Sequence, residues 1–227
     1  MSRTALPLLL LLVLGCSDLA DEGGVVGLEI RTPDLSTLET GETLPLSAKA
    51  LDKNGDSVAA EIAWRAPDAT LTVDPLTGVI TGVSPGPGRV QAFVGQLASN
   101  LVQFTVIPRA DTLILTDSVF TVAPEVASSP PLVAYLQSFN PSAVLPERPI
   151  VYAVTSPPDV GPHTVELPGA VLTDTVLTGT DGAVTSVTLN RVSSIAQPDT
   201  AIVEVRAFRT RGAPVPGSGQ RFIVIFQ

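Results

Sequence analysis

Few residues in this chain could carry chemistry, and their types limit what that chemistry could be. Among 227 residues there is one histidine, His163, and one cysteine, Cys16. Ser–His–Asp catalysis would have to pass through His163. That residue sits in the loop Val160-Gly161-Pro162-His163-Thr164, and no Gly-x-Ser-x-Gly elbow accompanies it. A lone loop histidine reads as a solvated residue. Zinc held by several His or Cys ligands is excluded by count. Pro85-Gly86-Pro87-Gly88 is glycine-rich, but its prolines remove backbone donors that a phosphate loop needs, and no Lys follows. Asp52-Lys53-Asn54-Gly55-Asp56, with Glu61 six residues after the glycine, has the oxygen spacing with which a calcium loop begins. Its surroundings are strand-like, however, and Asn54-Gly55 is a hairpin signal, so the segment reads as a turn. Carboxylate pairs for glycoside hydrolysis stay open, because among 22 acids the partners would meet only in three dimensions. No catalytic, cofactor-binding or metal residue is assigned.

The elements around these residues are strands and turns. Val, Thr, Leu, Pro and Gly dominate, which favours strands over helices. The length allows one or two ordinary domains. A net charge of −9 leaves no basic stripe for phosphates and would repel anionic headgroups. A membrane role therefore needs a covalent anchor. Arg3, the apolar run Ala5 to Leu14 (too short to span a bilayer) and then Val13-Leu14-Gly15-Cys16 supply one. This ending resembles the lipobox of bacterial lipoproteins. The resemblance implies a signal peptide over 1–15, lipidation of Cys16, and Cys16 as the new N-terminus. More than one acyl chain at that site makes anchoring stable. Cys16 is the only cysteine, so no intramolecular disulfide can form. Residues 16–24, acidic and small, read as a tether. Ser17 directly after the cysteine resembles lipoproteins sent to an outer membrane, where the cell has one.

Residues 64–94 organise the first half. Ile62-Ala63-Trp64 alternates and puts one large ring into a half-buried sheet face. Leu71-Thr72-Val73 is a strand. Asp74-Pro75-Leu76-Thr77-Gly78 is a tight turn, with Pro presetting φ, Asp bonding its own backbone and Gly supplying φ > 0. Val79-Ile80-Thr81 leaves as a strand, Pro85-Gly86-Pro87-Gly88 breaks the chain, and Val90 to Val94 alternates again. Leu44 to Leu51 and Leu97 to Ile107 read as single strands. Trp64 is expected between the sheets against Val73, Ile80, Val90 and Ala92. Trp64, the Val73-Asp74-Pro75-x-Thr77-Gly78-x-Ile80-Thr81-Gly82 hairpin, Val90-x-Ala92, Leu28-x-Ile30 and Thr40-Gly41-Glu42-Thr43-x-x-Leu46-x-Ala48 resemble the group 2 bacterial immunoglobulin-like domain. The match covers about 25–107. Pro45 departs from the pattern and implies an edge or bulge.

Pro108-Arg109-Ala110 marks the boundary. It is too short for a floppy linker, so the halves are expected end to end with limited freedom. Residues 111–227 supply seven or eight strands: Leu113–Leu115, Val119–Val122, Leu132–Phe139, Pro149–Thr155, Val171–Thr178, Val184–Leu189, Ile202–Phe208 and Phe222–Phe226. Thr180-Asp181-Gly182-Ala183-Val184-x-x-Val187-x-Leu189 and Ala201-x-Val203-x-Val205-x-Ala207 resemble the group 1 domain of invasin-type adhesins. The Pro-rich stretch Ser156 to Pro168 and the Gln197-Pro198 connection depart from it. Tyr135 and Tyr152 lie on strand patterns and are expected to be buried, which leaves no aromatic platform for sugars.

The chain thus reads as all-β: two tandem immunoglobulin-like β-sandwiches after a lipoprotein signal peptide. The resemblances imply an exported, lipid-anchored binding, adhesion or spacer module of the cell envelope. It would act without catalysis or cofactor, and would meet a protein or polysaccharide partner through loops or an edge strand. Nucleic acid is not expected as a partner. The alternatives are a small carboxylate-dependent hydrolase or lectin acting on envelope polysaccharide, and an accessory subunit of an envelope assembly.

Overall fold

The computed structural model describes residues 24–157, 163–192 and 200–227. Cys16, the apolar leader, most of the 16–24 tether and Gln197-Pro198 lie outside the described residues. All regular structure among the described residues is strand. The first half runs β1 (Gly27–Arg31), β2 (Thr37–Glu39), β3 (Thr43–Pro45), β4 (Ser47–Leu51), β5 (Ser57–Val58), β6 (Ala63–Arg65), β7 (Leu71–Val73), β8 (Val79–Gly82), β9 (Gly86–Val94), β10 (Leu97–Ala98) and β11 (Val102–Ile107). Three sheets result: β1-β4-β5; β10-β9-β11-β2 with β6 added on β9; and β3-β8-β7. The second half runs β12 (Thr112–Leu115), β13 (Val119–Val122), β14 (Ala134–Phe139), β15 (Ser142–Val144), β16 (Pro149–Ser156), β17 (Val165–Glu166), β18 (Thr173–Leu177), β19 (Ala183–Val184), β20 (Asn190–Arg191), β21 (Thr200–Ala207) and β22 (Gln220–Phe226). Its large sheet is β13-β22-β21-β16-β18. It faces β12-β14-β15, where β19 joins β14, and β17-β20 forms a short ribbon.

Both halves close in the same way although their sequences do not repeat. In each, the last strand pairs parallel with an early one: Thr105–Ile107 with Thr37–Glu39, and Ile223–Phe226 with Val119–Val122. Each half also has its own core. Trp64, Ile80, Val90, Ala92 and Phe104 cluster in the first, with Val73 packed against them. Tyr152, Phe222, Leu132 and Leu189 belong to the cluster of the second. There Tyr152 stacks on Phe222 at 6.4 Å, and its hydroxyl donates to the Leu132 carbonyl at 3.1 Å. The fold is therefore two tandem immunoglobulin-like β-sandwiches.

The hairpin at Asp74–Gly78 forms as its residues dictate. The Asp74 carboxylate accepts from the Leu76 and Thr77 amides at 3.0 and 2.8 Å, and Gly78 takes φ +70°. Gly78 has a second reason to be glycine: a Cβ there would lie 2.6 Å from the Trp64 ring. Asp52 likewise accepts from the Asn54 and Asp56 amides, with Gly55 at φ +85°, so the calcium-like segment is a turn.

Several expectations need correction. Residues 44–51 form two strands in different sheets, not one. The break follows Pro45, whose strand β3 is a sheet edge. The break falls at residues 83–85 and β9 begins at Gly86, so Gly86-Pro87-Gly88 lies inside a strand, with Pro87 paired to Thr105. The Pro87 carbonyl points to the Thr70 hydroxyl at 2.7 Å, away from β11, so the missing amide costs no ladder bond. Gly88 is required because Leu71 would lie 2.6 Å from a Cβ there. Residues 97–107 are interrupted by a bulge at Ser99, whose hydroxyl accepts the Ala92 amide at 3.0 Å. Val184–Leu189 is not one strand: β19 stops at Val184. β15 and β17 were not anticipated. Tyr152 is fully buried, but Tyr135 is only half-buried.

Candidate functional site

The described residue with the most polar contacts drawn from both halves is Glu39, where the two sandwiches meet. Glu39 ends β2, and the following turn fixes it: the Glu39 amide donates to Glu42 Oε2 at 2.8 Å, and the Glu42 amide donates to the Glu39 carbonyl at 2.9 Å. Gly41 supplies φ +78°. This turn sends the Glu39 carboxylate into the contact with the second half, where the residue keeps 2% exposure. Arg148 Nη2 meets Glu39 Oε1 at 2.9 Å and also donates to the Pro108 carbonyl at 2.9 Å. Arg209 Nε lies 3.8 Å from Glu39 Oε2 and donates to the Ala110 carbonyl at 3.1 Å. The Ala110 amide itself donates to Glu39 Oε2 at 3.4 Å.

The second half holds these arginines in place. The Arg148 amide donates to Thr178 Oγ1 at 2.9 Å, and the Thr178 amide returns a bond to the Arg148 carbonyl at 2.9 Å. Arg209 and Arg211 ride on a tight turn in which the Arg209 amide donates to the Ala213 carbonyl at 2.7 Å, with Gly212 at φ +83°. Arg211 Nε pairs with Glu42 Oε1 at 2.6 Å, while its Nη2 donates to the Leu35 and Thr37 carbonyls at 3.2 and 3.1 Å. A cavity of about 190 Å³ remains at the joint, lined in part by Arg109, Arg209 and Arg211. Two carboxylates and three arginines thus bind one half to the other. A buried carboxylate is tolerated because each of its oxygens has a cationic or amide partner. No local sequence signal pointed to this site, since Glu39 and Arg148 are 109 residues apart.

The other candidates fall elsewhere. Cys16 lies outside the described residues. His163 is exposed. No group of three or more His, Cys, Asp or Glu side chains that could hold a metal occurs among the described residues. Glu39 and Glu42, which share one turn, are ion-pair members of the joint. Titration shifts belong to turns and packing. Backbone amides of Asp56 and Asn54 lower the Asp52 pKa, those of Thr77 and Leu76 lower that of Asp74, and the Arg89 side chain lowers that of Asp68. Burial raises the Tyr152 pKa. An open groove of about 490 Å³ runs past Trp64, Arg65 and Phe93, with the Arg65 guanidinium 4.8 Å over the Phe93 ring. No carboxylate among the described residues lines it.

No protein-family model matches this chain, and no curated protein matches it in sequence. Solved structures do align with it. Domains 4 and 5 of the S-layer protein SbsC share 16% identity over 89% of this chain and 98% of that one, with a TM-score of 0.34. The Yersinia pseudotuberculosis adhesin InvE shares 15% over 91% of this chain and 59% of that one, with a TM-score of 0.41. The fibronectin(III)-like modules of Clostridium thermocellum CbhA share 15% over 88% and 94%, with a TM-score of 0.41. The fold rests on the strands and cores themselves: all-β, two immunoglobulin-like sandwiches bound at Glu39.

Proposed function

We propose that the chain is an exported bacterial lipoprotein anchored through Cys16, in which two immunoglobulin-like domains, 25–107 and 111–227, act as a non-catalytic adhesion or spacer module of the cell envelope. The first domain is assigned to the group 2 type on its Trp64 and Asp74–Gly78 hairpin, and the second to the group 1 type. The anchor sits in the outer membrane where the cell has one. The observation that carries the spacer reading is the Glu39 joint. A spacer or adhesin stalk must present its far end in a defined direction, and a flexible linker would not do so. Burying Glu39 among Arg148, Arg209 and the Ala110 amide supports one fixed orientation, because separating the halves would leave charges without partners.

The anchor is tested in cells by metabolic labelling with a clickable fatty acid. The parent is expected to be labelled, and Cys16→Ser to lose the label and leave the membrane fraction or accumulate as precursor. Equal labelling of the Ser variant would overturn the anchor. Turnover of envelope polysaccharide by purified protein would overturn the non-catalytic reading.

A further inference from the structure

The large sheet of the second sandwich ends on β18, and this edge is open. The Val154 amide donates to the Leu172 carbonyl at 2.8 Å, and the Thr178 amide donates to the Arg148 carbonyl at 2.9 Å. Those two bonds set the alternation of the antiparallel ladder with β16. Leu172, Asp174, Val176 and Thr178 face β16, so the amides and carbonyls of Thr173, Thr175 and Leu177 point away from it. The chain itself closes both ends of this edge. The Val171 carbonyl accepts the Leu167 amide at 2.8 Å, and the Gly179 amide donates to the Ala183 carbonyl at 2.7 Å. Between them, the outward groups of Thr173, Thr175 and Leu177 meet no partner among the described residues. Residues 173–177 contain no Lys, Pro or Gly and their pairing with β16 shows no bulge, so the one charge protecting this edge is Asp174. Leu177 is 58% exposed.

We propose that β18 is a self-association edge, pairing antiparallel with β18 of a second copy about a two-fold axis at Thr175. Three features single out a second copy as the occupant. The register of Thr173 with Leu177 and Thr175 with Thr175 matches every outward amide to an outward carbonyl, and any shifted register leaves some of them facing Val171 or Gly179, which are already engaged. The single charge of the strand, Asp174, comes opposite Val176, so the two aspartates lie diagonal rather than face to face. Beside the edge, the outer face of β16 offers Pro149, Val151 and Ala153. The acid opposite Ala153 on β21, Glu204, is already paired with Arg206 and Arg221. The axis also reverses the partner. β18 runs toward Arg148, hence toward the joint, so the partner's first sandwich extends the opposite way. Resting on the anchor proposed above, this consequence places the two anchors on opposite sides, and the pair would join two facing surfaces. The dimer itself does not depend on the anchor.

The test uses the full chain carrying Cys16→Ser. Sedimentation should show a reversible dimer, and Thr175→Pro should raise its dissociation constant about tenfold or more by removing two interchain bonds. At a concentration where the chain is monomeric the melting temperature should hold, since the Thr175 amide meets no partner among the described residues. Oxidation should link Thr175→Cys chains to one another, because directly opposed hydrogen-bonded residues sit about 5.5 Å apart, within disulfide reach. Thr173→Cys alone should not link, but should link to Leu177→Cys. A chain that stays monomeric at the highest attainable concentration overturns the proposal. So does a dimer indifferent to Thr175→Pro, or linking by Thr173→Cys alone as efficient as at Thr175.

Discussion

Gly78→Ala offers a sharp test of the first core, because two separable effects act on one atom. The residue has φ +70°, a region that costs an L side chain about 1–2 kcal/mol. The added Cβ would also stand 2.6 Å from Trp64 Cε2 and 2.7 Å from Nε1, and overpacking of this kind costs about 1–3 kcal/mol. The expected loss is the sum, about 2–5 kcal/mol. Only the second part depends on the indole. In a Trp64→Leu background, where the indole is gone, Gly78→Ala should cost only the backbone part, about 1–2 kcal/mol. The cycle should therefore show a coupling of about 1–3 kcal/mol, with Trp64→Leu itself costing less than the roughly 3–5 kcal/mol of full truncation. Gly78→Asn should also destabilise, because Asn tolerates the φ but still carries the Cβ. Urea unfolding followed by circular dichroism measures all four corners, and indole emission reports on the first sandwich wherever Trp64 is kept. Equal costs of Gly78→Ala in both backgrounds would refute the packing of Trp64 on this turn.

Other consequences are independent of that core. The folded-state pKa of Asp52 is lowered from 3.8 by the Asp56 and Asn54 amides, so its contribution to the turn is present above the unfolded value and lost as pH falls through the folded one. A carboxyl titration by NMR should place its midpoint below 3.8, and a midpoint at or above that value would contradict the turn. Burial raises the Tyr152 pKa above 10.0, so its stabilising contribution is intact below that pH and fades as pH climbs toward the folded value. Its ionisation, read by ultraviolet absorbance, should appear only together with alkaline unfolding. Glu39→Ala should cost about 3 kcal/mol or more, because Arg148 stays largely buried without its carboxylate. Thermal unfolding by calorimetry is the check, and a variant as stable as the parent would contradict the joint.

How much was legible follows from how local each signal is. The Asp74–Gly78 hairpin could be read because its carboxylate, proline and glycine act within five residues. Trp64 could be placed in the core from the alternation around it. Pro87 and Gly88 were misread because turn chemistry was inferred from residue type alone. What admits them to β9 is a carbonyl directed at Thr70 and the approach of Leu71, and both partners lie well away in sequence. The Ser99 bulge was hidden for the same reason, since its hydroxyl serves an amide on the neighbouring strand. The Glu39 joint left no trace at all. Its arginines come from a pre-strand turn and a hairpin of the other sandwich, and nothing around Glu39 distinguishes it from a solvated acid. The open edge at β18 is equally invisible in sequence, because an edge is defined by which strands fail to pair.

The claim on which the account depends most is that Glu39, Arg148 and Arg209 hold the two sandwiches in one orientation. Backbone ¹⁵N relaxation of the full chain tests it directly. At a concentration where self-association is negligible, residues of both halves should report one common rotational correlation time, and Glu39→Ala should separate the two values. Two distinct, shorter correlation times in the parent would contradict the account.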